Sequence, residues 1–115
     1  MAKLADMRSA DLRNVLVLQA PPDGQGTRGE RTGDWSDVAT LRGKVESLSG
    51  DERQEANQIS GVVTHRVTIR WRSGLDVTQR LKMSGESGAR YLNIGFVNNL
   101  EERSRWVELL CREDV

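Results

Sequence analysis

From Val62 to Arg72 the chain alternates without a break: Val63, His65, Val67, Ile69 and Trp71 fall on one side, and Thr64, Arg66, Thr68, Arg70 and Arg72 on the other. A repeat of two is that of an extended strand, whose successive side chains point to opposite faces, and no helix keeps such a set together. The chain is therefore committed to a half-buried sheet. Shorter stretches of the same kind supply its neighbours. Asn14 to Gln19 is a β-branched-rich run ended by Pro21-Pro22. Trp35 to Leu48 sets Ala39, Leu41, Gly43 and Val45 against Thr40, Arg42, Lys44 and Glu46. Gln79 to Met83 is a short strand, and Tyr91 to Val97 brings Leu92, Ile94 and Phe96 together. Arg105 to Cys111 places Val107, Leu109 and Cys111 opposite Trp106, Glu108 and Leu110. Turn residues at Ser73-Gly74, Ser84 to Gly88 and Asn98-Asn99 separate them. The pattern predicts a mainly β fold, a small five- to six-stranded β-barrel or sandwich.

Two segments do not fit the alternation. Ser49 followed by Glu52 forms a capping-box pattern, with Asp51 and Glu52 in the first turn, and predicts one short helix over 49–59. Its apolar content, Ala56 and Ile59, is thin, so it packs marginally or against something outside the monomer. Between Pro21 and Gly33, four glycines and two prolines sit among polar residues, which predicts a long mobile loop over 20–34. With a polar arm at 1–12, residues 1–115 read as a single domain.

The totals narrow the function. Only 37% of residues are apolar and 4% aromatic, so the core is modest, with exposed sheet edges that identical neighbours could cover. Lys plus Arg equals Asp plus Glu, 17 each, leaving no positive excess for free-standing DNA binding. The lone Cys111 excludes an intrachain disulfide and a cysteine zinc cage, which fits a reducing cytoplasm. Charges at Lys3, Asp6, Arg8, Asp11 and Arg13 interrupt any signal peptide or membrane helix, so export and membrane contact are not expected. His65, the one histidine, shares a face with Val63 and Val67 and reads as a core residue. With no orienting carboxylate, nucleophile or further metal ligands in pattern, no catalytic, cofactor or metal site is expected.

Trp35-Ser36-Asp37-Val38-Ala39-Thr40, then Val45 to Gly50, then Glu52 and Ala56, then Thr64 to Arg72 with Arg80 after it, then Tyr91 to Ile94, Asn98 to Arg103 and Leu109 to Glu113 occur in one ordered series. This series resembles the phage head-tail joining, or head-closure, family over roughly residues 14 to 113. Two departures stand out: Arg42-Gly43 replaces a bulky residue and alanine, and Ser84 to Gly88 makes a longer hairpin turn than the family's. The resemblance implies a non-enzymatic virion protein of the head-tail connector, made in the host cytoplasm. It further implies a homo-oligomeric ring, sixfold or twelvefold, below the portal and adaptor, which retains packaged double-stranded DNA and meets the tail-terminator protein. The rival readings are a tail-completion protein of the same assembly and a cellular β-barrel module binding peptide or single-stranded nucleic acid.

Within that frame the residues offer two sets of contacts. Arg66, Arg70 and Arg72 form a basic row on the polar side of their strand, suited to an acidic neighbouring ring. Trp106 lies opposite the core parity of its strand and is the expected interface anchor, whereas Trp71 has core parity and is expected inside. Channel gating or docking falls to Arg28, Glu30 and Arg31 in the loop, or to Glu52, Arg53 and Gln54 in the helix.

Overall fold

A computed structural model describes residues 9–22, 24–25, 31–32, 34–60, 62–86 and 88–113. After a single 3-10 turn at Ser9–Asp11 come β1 (Asn14–Ala20), β2 (Gly24–Gln25), β3 (Arg31–Thr32), β4 (Ser36–Ser47), α1 (Gly50–Ser60), β5 (His65–Arg70), β6 (Arg80–Gly85) and β7 (Gly88–Asn99). A second 3-10 turn at Leu100–Glu102 leads to β8 (Trp106–Glu113). Six strands close into a barrel in the order β1-β4-β5-β8-β7-β6, every neighbouring pair antiparallel. The mainly β class and the single short helix match the sequence reading. Within 20–34, the stretch read as a mobile loop, β2 and β3 pair as a separate two-stranded ladder.

The barrel interior is filled by one side of each alternating segment: Leu16 and Leu18, Val67 and Ile69, Leu81 and Met83, Leu92 and Ile94, and Val107, Leu109 and Cys111. Each such side chain, removed from water, contributes about 1.5–3 kcal/mol before chain entropy is set against it. Closure corrects the expectation of exposed sheet edges, since the strands satisfy one another around the circle. What remains open is local and comes from stagger. β4 pairs with β1 over its first two thirds but meets β5 only from Gly43 onward.

Gly43 sits at that crossing of partners because there is room for nothing larger. A Cβ there would lie 2.8 Å from Leu16 Cδ1 and 3.0 Å from Ile69 Cγ2. The hairpin between β6 and β7 closes on the pair Gly85↔Gly88, with Gly88 at φ +123, a conformation natural to glycine. The stretch Ser84 to Gly88 is thus mostly ladder, a tighter turn than the sequence suggested.

β8 departs from simple alternation, being buried on both faces from Trp106 to Cys111. Leu48 and Val63, which flank α1, cover Leu110 together with Phe96, while Leu12 and Leu100 cover Trp106. The chain before and after the helix therefore adds a second apolar layer outside the barrel. The cap of α1 is the reciprocal pair read from the sequence: Ser49 N–H donates to Glu52 Oε1 at 3.3 Å, and Glu52 N–H to Ser49 Oγ at 3.4 Å.

Candidate partner-binding surfaces

The basic row divides. Arg66 is 9% exposed, where the alternation had set it in solvent, because the helix and its flanks lie over that face of β5. Its guanidinium contacts Glu46 Oε2 on β4 and Glu52 Oε2 on α1, each at 3.3 Å. Glu108 on β8, which pairs with Thr68, is also buried; burial raises its pKa, and Arg66 acts against that rise. This is a partly buried ion cluster joining helix to barrel, with Arg66 on its inner side. Arg70 and Arg72 lie farther along the same strand direction, Arg70 exposed and Arg72 half-buried.

The tryptophans exchange the places expected of them. Trp106 is 5% exposed, packed on Leu12 with the Arg70 guanidinium 5.2 Å from its ring centre. Trp71 is 42% exposed, since β5 ends at Arg70 and the alternation does not continue beyond it. Two grooves flank Trp71. One, of about 370 Å³, is lined by Leu12, Thr40, Leu41, Arg42, Ile69 and the run from Arg70 to Arg72. The other, of about 270 Å³, lies among Arg70, Trp71, Ser104, Arg105 and Trp106. Arg42 and Arg105 were not legible as members of this group, because they come from β4 and from the turn before β8 and meet only in the fold.

A second arginine was visible only as a motif residue. Arg80, at the start of β6, lies between the rings of Trp35 and Tyr91, 4.1 Å from each centre. Its Nε–H donates to Gln19 Oε1 at 2.8 Å, and Gln19 Nε2–H donates to Asp37 Oδ1 at 2.8 Å. One guanidinium thereby joins β1, β6, β7 and the approach to β4, across a seam where β1 and β6 share only the pairs Val17↔Lys82, Leu18↔Leu81 and Gln19↔Arg80.

His65 and Cys111 behave as core residues. Thr64 Oγ1 accepts from Glu113 N–H at 2.9 Å and donates to Cys111 O at 3.4 Å. It also lies 2.8 Å from His65 Nδ1, which suits an Nδ1–H donor, with Nε2 left to accept from Ser47 Oγ at 3.3 Å. Burial lowers the His65 pKa and pushes the Cys111 thiol up to about 12, far from a reactive thiolate. Among the described residues, no group of three His, Cys, Asp or Glu side chains is placed to hold a metal ion. No described helix is long and apolar enough to cross a membrane.

Arg28 and Glu30 lie outside the described residues, and of Arg31 only the β3 backbone is described. On α1, Arg53 and Gln54 are exposed and Glu52 is half-buried, so only Glu52 of the three is tied to the barrel.

A model of the phage head completion protein family matches residues 7–114, which takes in the whole barrel and the helix. The chain belongs to the phage head completion protein family. A solution structure of a Shigella flexneri 2a protein is similar throughout, with 29% sequence identity, a TM-score of 0.73, and coverage of 95% of this chain and 98% of that one. No curated protein sequence matches significantly. As a head completion protein, the chain is a bacteriophage virion component built on a closed β-barrel. The grooves around Trp71 and the exposed side of α1 are the head completion protein's candidate surfaces for the rest of the particle.

Proposed function

We propose that this head completion protein acts as the closure subunit of the head-tail connector. Copies made in the host cytoplasm form a sixfold or twelvefold ring beneath the portal and adaptor, retain packaged DNA, and present the tail-terminator protein with its docking surface. The mechanism is binding and not turnover. The observation that carries this reading is the family match over residues 7–114, which spans the barrel, its helix and its outer apolar layer together. The closed barrel supports it physically, as a body stable within one chain can be repeated around a heterologous ring without exchanging strands.

Deleting the gene from its phage tests the proposal. Filled heads that leak DNA, beside free tails, are the expected result. Tailed infectious particles in its absence would reject the proposal, and finding the protein on isolated tails instead of heads would make it a tail-side completion protein.

A further inference from the structure

The helix α1 leaves the barrel and returns to it at a single point. Ser47 pairs with His65 at the end of the β4–β5 ladder, and one step beyond it Leu48 N–H donates to Thr64 O at 3.1 Å. Thr64 N–H in turn donates to Cys111 O at 2.9 Å, and Leu48 and Val63 are buried against Leu110. The two stalks of the helix therefore rise from one closed neck, and displacing what lies above that neck breaks no barrel ladder. Above it the helix has little to hold it. Asp51, Arg53, Gln54, Glu55 and Asn57 are exposed, and Glu52 is half-buried. Among the described residues two side-chain bonds fasten α1: Glu52 Oε2 meets Arg66 at 3.3 Å, and Asn57 Oδ1 accepts from Val63 N–H at 2.8 Å. The first can be given up cheaply, because Arg66 keeps Glu46 Oε2 at 3.3 Å and the field of buried Glu108 when Glu52 withdraws.

From these features we infer that α1 is a releasable strap, which lifts from the barrel and unravels as one unit while the six strands stay closed, with the Glu52–Arg66 contact as its latch. Unravelling follows release because a helix of 11 residues does not hold its shape in water without packing against something. The latch is ionic and partly exposed, so salt and competing charges weaken it, whereas the neck is held by backbone hydrogen bonds and buried apolar side chains that they do not reach. The inference goes beyond the closure role by naming the part of the subunit that changes shape, and it does not depend on that role.

The test is native-state hydrogen exchange of the full chain, read amide by amide by NMR. The amides of α1 should open far more readily than those of residues 66–69 and 107–110, and with a much smaller dependence on denaturant. Glu52→Gln keeps the capping pattern and removes the charge, so it should speed α1 exchange about two- to fivefold and leave the strands unchanged. Glu55→Gln makes the same charge change at an exposed position on the same helix, and should leave α1 near the parent rate. Asn57→Ala raises helix propensity but removes the second tether, and should speed exchange about fivefold. Trypsin cleavage at exposed Arg53, identified by mass, should accelerate in step with exchange in each variant. An unaltered spectrum of the strand amides verifies that the barrel is folded throughout. Exchange of α1 only through global unfolding, equal effects of Glu52→Gln and Glu55→Gln, or slower exchange in Asn57→Ala would each overturn the inference. Any of these would leave the closure role, which gene deletion tests, standing.

Discussion

Arg66 of β5 reaches Glu52 in the first turn of α1 at 3.3 Å, and so holds the start of the helix against the barrel wall. The same guanidinium serves Glu46, and it is the cation that the buried Glu108 carboxylate feels. Replacing Arg66 by Met therefore removes a helix tether and leaves buried negative charge without compensation. Urea denaturation should show a loss of about 3 kcal/mol. Burial holds the Glu108 pKa above its ordinary value, so its favourable contribution exists at low pH and is lost as pH rises through the raised pKa. Arg66→Met raises it further, and the gap between variant and parent should be wider at pH 7 than near pH 5. A gap independent of pH would mean that Glu108 is not coupled to Arg66.

His65 gives the opposite dependence. Burial lowers its pKa, with Arg90 and Arg53 acting in the same direction and Glu113 against them. The neutral ring is the folded form, so its contribution is present above 6.5 and diminishes as pH falls below that value toward the folded pKa. The stability that the parent holds over His65→Gln should shrink from pH 7 toward pH 5, before the carboxylates Glu52 and Glu113, whose pKa values are lowered, begin to matter. Taking the difference between the two proteins removes the opposing Glu108 contribution, which both share.

At the β1–β6 seam, Arg80→Ala removes two ring contacts and the hydrogen bond to Gln19. The expected cost is about 1–2 kcal/mol, with faster hydrogen exchange at residues 17–19 and 80–82. Arg80→Lys should restore only a minor part, because a point charge cannot stack flat between two rings. Full recovery by Lys would show that charge alone closes the seam.

Gly43→Ala should destabilise by about 1–3 kcal/mol, since the new methyl meets Leu16, Ile69 and the Thr68 carbonyl. The double change with Leu16→Val should be less harmful than the two single costs added, because the shorter side chain withdraws Cδ1 from the contact. Additive costs would place the strain in the backbone of β5.

The barrel was readable because its inward residues repeat every second position: Val67 and Ile69, Leu92 and Ile94, and Val107 and Leu109 all lie where alternation puts them. The capping box announced α1 equally well. The surfaces were not readable, for a related reason. Alternation separates two faces of a strand but does not say what covers the outer one. Arg66 and Trp106 have outward parity and are buried, Arg66 against Glu46 and Glu52 and Trp106 against Leu12, residues distant in the chain. Trp71 has inward parity and is exposed, because the strand stops one residue earlier. Closure itself depends on the three β1–β6 pairs, for which no local pattern exists.

Imaging of assembled particles at subunit resolution tests the central claim most directly. The chain should appear as a closed ring of barrels between portal complex and tail, with DNA held above it in tailless heads. A location in the capsid lattice or the tail tip, or absence from the particle, would contradict it.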